Sequence, residues 1–376
     1  MRCDLRLWLI AALAFTQPLL AQPADSVRYG LLPGFAYDSD NGLNIAIDAH
    51  RFNYGQKQVP FKSLSRYRLS YRSIGALTLS FSHEQVRTFD TDLRSSFDGL
   101  IARNYGAIHL GRTLRGDFDR ERFDSTTYYS FNSDLLNVGF STRLPLGAIV
   151  GMRRTDVKVG LRLVHESPFD LEADGFMATD RPTGWDGSTY VLAETGGVWE
   201  QRDSEFLPGS GTYAAWTVKS SVPGLSHTLM GQLSGDVRLY RRLTPVGAPI
   251  HLVFAQRVSA DHVMGDEPYW FVPNLGGTNG LRGYLWKRFS GDGIVHSQTE
   301  LRSWLPALPW YDIRLGLNGF VDAGSAYDKG FTLWEPTATA GFAVLVSILN
   351  PDFFIKYEMG FSKEGAGVYL GSGYAF

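Results

Sequence analysis

Apolar and polar side chains alternate along most of the chain. Between Leu64 and Arg72, for example, the apolar residues Tyr67, Leu69 and Tyr71 occupy alternate positions, with arginine or serine between them. A β-strand points successive side chains to opposite faces, so this two-residue period predicts strands with one apolar and one polar face. Similar segments recur as far as the last residue, and the chain is therefore predicted to be all-β.

The polar faces indicate which kind of β protein this is. They carry arginines and carboxylates at mid-strand, and the segments run for about ten residues, the length that a tilted strand needs to cross a membrane. About sixteen such segments can be counted from residue 31 to Phe376, an even number that suits a barrel. We therefore predict a transmembrane antiparallel β-barrel of about 16 strands, with apolar residues facing lipid and polar residues facing the lumen, rather than a soluble sandwich.

Composition and charge narrow the alternatives. Aromatic residues make up 14% of the chain and glycine contributes 41 residues, yet no apolar stretch beyond the N-terminal region approaches the length of a membrane helix. This excludes a helical membrane protein. The net charge is −2 and charges of both signs are scattered, which argues against a nucleic-acid partner.

The N-terminal region reads as a secretory signal. Arg2 and Arg6 form a basic start, Leu7–Phe15 is an apolar run, and Ala21 is a small residue suited to cleavage. We predict a cleaved signal peptide over residues 1–21 and export to the outer membrane of a Gram-negative bacterium.

The rest of the chain is predicted to form one domain. A short periplasmic N-terminus over residues 22–30 precedes a barrel over residues 31–376, and we expect no second domain. The single cysteine, Cys3, lies within the predicted signal, so the mature barrel is expected to contain no disulfide and no metal-binding thiol.

The last segment has an alternating aromatic ending. Val368, Leu370, Tyr374 and Phe376 fall on one face, which predicts a last strand that ends on Phe376 and presents an insertion signal at Tyr374 and Phe376. The contact between first and last strands is expected to be weak. Pro33 removes a ladder donor from the first strand, and Gly371 and Gly373 weaken the last. Alternatively, Pro33 only begins a strand and the glycines only accommodate curvature.

A long glycine-rich connection, from Asp261 to Gly291, carries the main candidate chemistry. Gly276 and Gly277 precede Leu281-Arg282-Gly283-Tyr284, and glycines on both sides would let the loop tip fold inward. Alternation in the next two segments places Glu300 and Asp322 on the lumen face of neighbouring strands. Arg282 is therefore predicted to bond these two acids in a wet lumen and latch the loop inside the barrel. An arginine exposed in a turn is the alternative.

These segments together resemble the BamA/TamA outer-membrane assembly superfamily, also called bacterial surface antigens, whose barrels carry a Val/Leu-Arg-Gly-Phe/Tyr loop motif. The resemblance spans the mature chain and follows the order of the family. It is carried by Gly276-Gly277, Leu281-Arg282-Gly283-Tyr284, Glu300-Leu301-Arg302 and Phe320-Val321-Asp322-Ala323-Gly324. It implies sixteen strands, a motif arginine bonded to lumen acids, and a lateral gate between the first and last strands.

The resemblance also implies a function. Members usually carry periplasmic polypeptide-binding repeats or a patatin-type lipase ahead of the barrel, and neither occurs here. We therefore expect a barrel that assists insertion or translocation of outer-membrane proteins or other envelope components, together with a separate periplasmic or lipoprotein partner. Outer-membrane lipid and lipopolysaccharide would surround it. A passive channel, or a structural surface protein without assembly activity, is the alternative.

The sequence contains no recognised catalytic motif. Neither a Gly-x-Ser-x-Gly elbow, a His-Glu-x-x-His helix nor a phosphate loop occurs. Asp38-Ser39-Asp40-Asn41-Gly42 is similar to the start of a calcium loop, but its spacing fits a hairpin turn better. We expect no enzymatic activity, no cofactor and no metal site.

Overall fold

The computed structural model describes residues 27–55, 61–112, 118–146, 155–204, 207–278, 280–308, 313–328, 336–347 and 354–376. The predicted signal peptide, residues 1–21, lies outside the described residues. The described part of the predicted N-terminal segment, residues 27–30, already belongs to the first strand. Among the described residues the barrel wall therefore begins at Val27, ahead of the predicted residue 31.

Sixteen strands of the described chain close into one antiparallel barrel, in which each strand pairs with its neighbours in sequence and the first lies beside the last. This confirms the predicted fold class. The strands are β1 Val27–Asp38, β2 Gly42–Asn53, β3 Ser63–Arg72, β4 Ala76–Val86, β5 Arg94–Ile108, β6 Ser130–Pro145, β7 Thr155–Phe169, β8 Ser188–Glu200, β9 Gly211–Ser221, β10 Met230–Arg242, β11 His251–Gly265, β14 Gly293–Trp304, β15 Arg314–Tyr327, β16 Thr337–Ser347, β17 Phe354–Ser362 and β18 Gly365–Ser372. Two short strands between β11 and β14, β12 Asn274–Leu275 and β13 Phe289–Ser290, form a separate sheet.

The strand faces differ as alternation predicts. Leu317 and Val321 on β15 point outward with 52% and 51% of their surface exposed, whereas Asp322 on the same strand points inward and is fully buried. Apolar side chains on the outside are stable in contact with lipid, while charged side chains on the inside form ion pairs with one another. The lumen near β14, β15 and β17 is filled rather than open.

The connection between β11 and β14 fills that part of the lumen. It contains a two-stranded ribbon of β12, Asn274–Leu275, and β13, Phe289–Ser290. Leu281 and Tyr284 pack with Leu275, Phe289 and neighbouring wall residues in a small buried apolar cluster. Since the loop has its own core, it is a folded insert whose tip has a defined position.

Other long connections cover the same end of the barrel, which we call the outer mouth. They include short helices at Arg120–Ser125 and Phe176–Asp180. A 3-10 turn at Thr88–Asp90 belongs to a different connection, between β4 and β5. Arg112, just after β5, bonds Glu267 and Asp292 at the two ends of the long loop. In the described part of the chain, no helix has the length and apolarity required to span a bilayer.

The predicted ending of the last strand is wrong. β18 ends at Ser372, and Tyr374 and Phe376 lie inside the lumen instead of on the lipid face. Gly373 has a φ of +79°, a left-handed conformation that turns the chain inward. The guanidinium of Arg302 lies 3.9 Å from the Tyr374 ring centre and 4.7 Å from that of Phe376, so cation–π attraction favours the inward position. The insertion-signal role of these two residues stays a prediction.

Candidate functional site: an arginine latch and a weakly paired seam

The tip of the long loop places one arginine against the barrel wall. Leu281 is fully buried in the apolar cluster of the loop, and the next residue, Arg282, is also fully buried. Gly283 has a φ of +101°, and a Cβ there would lie 2.8 Å from the backbone carbon of Gly360 on β17. A larger residue at position 283 would therefore push the tip away from the wall. Gly276, at the base of the tip, has a φ of +124°, a backbone conformation that glycine adopts readily. This agrees with the backbone freedom predicted for it from the sequence.

Arg282 is bonded by three carboxylates. Its Nε and Nη2 donate to the two oxygens of Asp322 at 2.7 and 2.6 Å, and its Nη1 donates to Glu300 at 2.7 Å. Nη1 also donates to Glu358 on β17 at 2.7 Å, and the backbone N–H of Arg282 donates to Asp322 at 3.2 Å. A planar guanidinium can serve three acceptors in this way, whereas a lysine ammonium cannot reproduce the fork.

Two further cations complete the cluster. The second oxygen of Glu300 accepts from Arg302 Nε at 2.8 Å, and that of Glu358 accepts from Lys356 Nζ at 2.8 Å. Three cations thus face three carboxylates, so the formal charge of the cluster is 3 − 3 = 0. Buried charges are tolerable only when they are paired and hydrogen-bonded, and these carboxylates all are.

The ring of Phe320 supports the guanidinium from one face, 3.5 Å from its carbon. The latch is therefore dry. The expectation that Arg282 bonds its acids in a wet lumen is wrong at this point, because the loop core and Phe320 exclude water from the arginine.

The structure brings Arg282 together with both predicted partners, Glu300 and Asp322. Sequence reasoning missed Glu358 as a third acceptor, although the two-residue period of β17 puts it on the lumen face. It also missed Lys356 and Phe320. Barrel curvature and the path of the loop decide which lumen residues of β17 reach the loop tip. A two-residue period in the sequence predicts neither of them.

The seam between β1 and β18 is incompletely paired. Among the described residues it contains two residue pairs, Tyr37 with Leu370 and Asp38 with Tyr369. By comparison, β18 pairs with β17 from Ile355 opposite Ser372 to Ser362 opposite Gly365. Between Tyr29 and Ala36, the described part of β1 therefore has no ladder partner on its β18 side.

The predicted seam residues take different places. Pro33 lies within β1 opposite Ile47 of β2, four residues below the nearest seam pair. Gly371 pairs with Lys356 of β17 and directly follows Leu370, the last residue of β18 that pairs with β1. Gly373 lies beyond β18, so the prediction that it weakens the last strand from within is wrong, and it forms the inward turn described above.

Arg302 connects the latch to the inward-turned tail. Its Nε bonds Glu300, and its Nη2 donates to a main-chain oxygen of Phe376 at 2.9 Å. Tyr374 accepts a hydrogen bond from Trp304 Nε1 at 2.8 Å. The tail that leaves the seam is thus held by the strand that also holds the latch. Among the described residues, no group of three or more His, Cys, Asp or Glu side chains is placed to hold a metal ion.

Comparison with known proteins identifies a family and solved structures that this chain is similar to. Residues 42–341 match the Omp85 superfamily domain. The crystal structure of BamA from Haemophilus ducreyi lacking POTRA domains 1-3 is similar over 94% of this chain and 70% of that chain, with a TM-score of 0.62 and 13% identity.

Two further solved structures are similar. CdiB from Acinetobacter baumannii matches 93% of this chain and 60% of its own length, with a TM-score of 0.58 and 12% identity. CdiB from Escherichia coli matches 94% and 64%, with a TM-score of 0.60 and 10% identity. This chain thus spans less than two thirds of either CdiB, and at these identities the likeness concerns the fold. No curated protein matches the sequence significantly.

Replacing Arg282 should release the loop. In Arg282→Ala, three buried carboxylates lose their shared partner, and we expect a loss of about 3 to 5 kcal/mol in the free energy of loop docking. Arg282→Lys should give an intermediate loss, because one ammonium cannot replace the fork. Limited proteolysis of the loop in the folded barrel measures this. Arg66→Ala, which removes an exposed lumen-facing arginine, is the control, and equal protease resistance of all three variants would contradict the latch.

Proposed function

Because the chain belongs to the Omp85 superfamily, whose barrels are outer-membrane proteins of Gram-negative bacteria, we propose that it assists the insertion or translocation of outer-membrane proteins or other envelope components. The client would engage the barrel at its seam. A separate periplasmic or lipoprotein partner would deliver the client, and a signal peptide over residues 1–21 would be cleaved on export.

The incomplete seam is the observation that carries this proposal. Among the described residues, Tyr29 to Ala36 of β1 have no ladder partner on the β18 side, so the backbone N–H and C=O groups that face this side form a free strand edge. Such an edge is a template on which another chain can add a strand. Outward side chains along this stretch are apolar and well exposed, as in Tyr29 at 77% and Phe35 at 59%. A client strand added here would therefore meet the lipid directly.

The loop held inside the lumen argues against a passive channel. The loop tip is bonded to β14, β15 and β17, while Arg112 ties the connection after β5 to the base of the same loop. A pore for solutes would need this material to move. The proposal is for a barrel without catalytic chemistry, in which hydrogen-bond exchange at the seam does the work.

Locking the seam should abolish the activity. Tyr37→Cys and Leu370→Cys introduce cysteines at a directly paired position of the seam, where the geometry suits a disulfide. We expect the oxidised protein to fold but to fail in supporting outer-membrane assembly in a depletion strain, and a reductant to restore it.

The matched control is Tyr357→Cys with Leu370→Cys, a pair within the complete β17–β18 ladder. This disulfide uses the same position on β18 but leaves the seam free, so assembly should continue. Full activity of the seam-locked barrel would refute the proposed use of the seam. No change in any outer-membrane protein or lipid on depletion of the chain would refute assembly itself.

Planar-bilayer conductance separates the proposal from a passive channel. The latched wild-type barrel should show almost no steady conductance, since the loop occupies the lumen. Arg282→Ala should open the lumen and give frequent large current steps. A wild-type barrel with a stable open pore would instead support the channel.

A further inference from the structure

The loop tip is bonded to the β18 side of the seam. The backbone N–H of Gly283 donates to the hydroxyl of Tyr369 at 3.0 Å, and Tyr369 is one of the two seam-paired residues of β18. The carbonyl of Gly283 accepts from Ser362 Oγ at 2.8 Å. Arg288, four residues after Tyr284, bonds Glu364 in the β17–β18 turn at 2.7 Å. Three bonds thus attach one stretch of loop to one edge.

The same stretch is also bonded to the β1 side. The backbone N–H of Trp286 donates to Asp40 Oδ2 at 3.0 Å, and Asp40 lies in the turn between β1 and β2. That turn is itself well ordered, because Asp38 accepts from the backbone N–H of Asp40 at 2.8 Å and from the side chain of Asn41 at 3.1 Å. The loop tip therefore reaches both edges of the seam within four residues, from Gly283 to Trp286.

The seam itself is closed at this same level. The N–H of Ser39 donates to the carbonyl of Val368 at 3.0 Å, and the N–H of Val368 donates to Ser39 Oγ at 3.3 Å. Below Tyr37 and Leu370 no ladder pair joins the two described strands. Among the described residues, the backbone pairing that closes the seam is thus concentrated beside the two loop contacts.

We propose that the loop tip is a staple across the seam, in which Gly283 holds Tyr369 and Trp286 holds Asp40, so that the seam opens fully only when the Asp40 contact is released. The Arg282 network anchors the staple to the β14–β17 wall. Asp40 is a positioning residue on the β1 edge, and it is the one contact of the staple that depends on a carboxylate outside the buried network.

Electrostatics makes the Asp40 contact sensitive to pH. Burial, and then the neighbouring Asp38, raise the pKa of Asp40 to about 6, while the Trp286 N–H and Arg120 oppose the rise. The Tyr369 hydroxyl faces Asp40 from β18. A carboxyl whose pKa is raised in the closed state binds its proton more tightly there than when released. The closed seam should therefore gain stability as pH falls through about 6 and lose it as pH rises.

The biological role of the staple rests on the proposed function, because an open seam matters only if clients use it. The test of the staple measures the width of the seam directly. Spin labels at Phe35→Cys on β1 and Ser372→Cys on β18 lie on the partnerless part of the two edges. Pulsed electron resonance on the full-length barrel in nanodiscs then gives the distance across the seam. Failure of the staple would leave the assembly proposal standing, whereas the depletion and locking experiments test that proposal separately.

At pH 5, where the Asp40 carboxyl of the closed seam is mostly protonated, Asp40→Ala should increase the population with a widened seam about fivefold, the size expected for losing one hydrogen bond. Tyr369→Phe, which removes the acceptor on the other edge, should act in the same direction and serves if the first variant folds poorly. Glu364→Gln weakens an attachment on the β18 side alone and should leave the distance unchanged. Asp92→Asn, in the β4–β5 connection, is the matched remote control.

The pH series gives an independent readout. Between about pH 7.5 and pH 5 the widened population of the wild type should fall, and Asp40→Asn, which stays neutral, should remove this dependence. The staple is overturned if Asp40→Ala and Tyr369→Phe both keep the wild-type distance, or if Glu364→Gln widens the seam as much as they do. An unchanged pH dependence in Asp40→Asn would overturn the role of the Asp40 charge.

Discussion

The interaction on which the rest of the structure depends is the burial of one guanidinium among three carboxylates. Arg282 is fully buried, and Asp322, Glu300 and Glu358 are at most 2% exposed. Removing any one of these charges from water is costly, so each requires the others, with Arg302 and Lys356 completing neutrality. The cluster can form only when β14, β15 and β17 and the loop tip occupy their final places. It therefore couples the position of a loop to the closure of a barrel wall.

That coupling has consequences at the weakest part of the barrel. The strand ladders are long around most of the circumference, whereas the β1–β18 contact contains two residue pairs. Stability in such a protein is uneven, and the seam is where local opening is least costly. Loop contacts at Tyr369 and Asp40 add to this weak edge, and Arg302 draws Tyr374 and Phe376 away from it into the lumen. A single buried network thus influences both how the seam closes and how much strand is left unpaired.

Sequence reasoning succeeded where one local rule decides the outcome. The two-residue period placed Glu300 and Asp322 on the lumen face because every strand obeys it, and the glycines around Arg282 indicated an inward-folded tip. It failed where contacts join distant parts of the chain: Glu358, Tyr369 and Asp40 meet the loop through barrel closure, which no short window contains. It also failed at Phe376, where a left-handed glycine and the cation of Arg302 override the alternation of the last strand.

The central claim is that the loop tip and the top of the seam open as one unit, and residue-resolved amide hydrogen exchange of the wild-type barrel in nanodiscs tests it most directly. The N–H groups of Gly283, Trp286 and Ser39 donate, respectively, to Tyr369, Asp40 and Val368. The account predicts that these three amides exchange with the same opening free energy and the same dependence on denaturant. It would be contradicted if the Ser39 amide exchanged freely while those of Gly283 and Trp286 stayed protected.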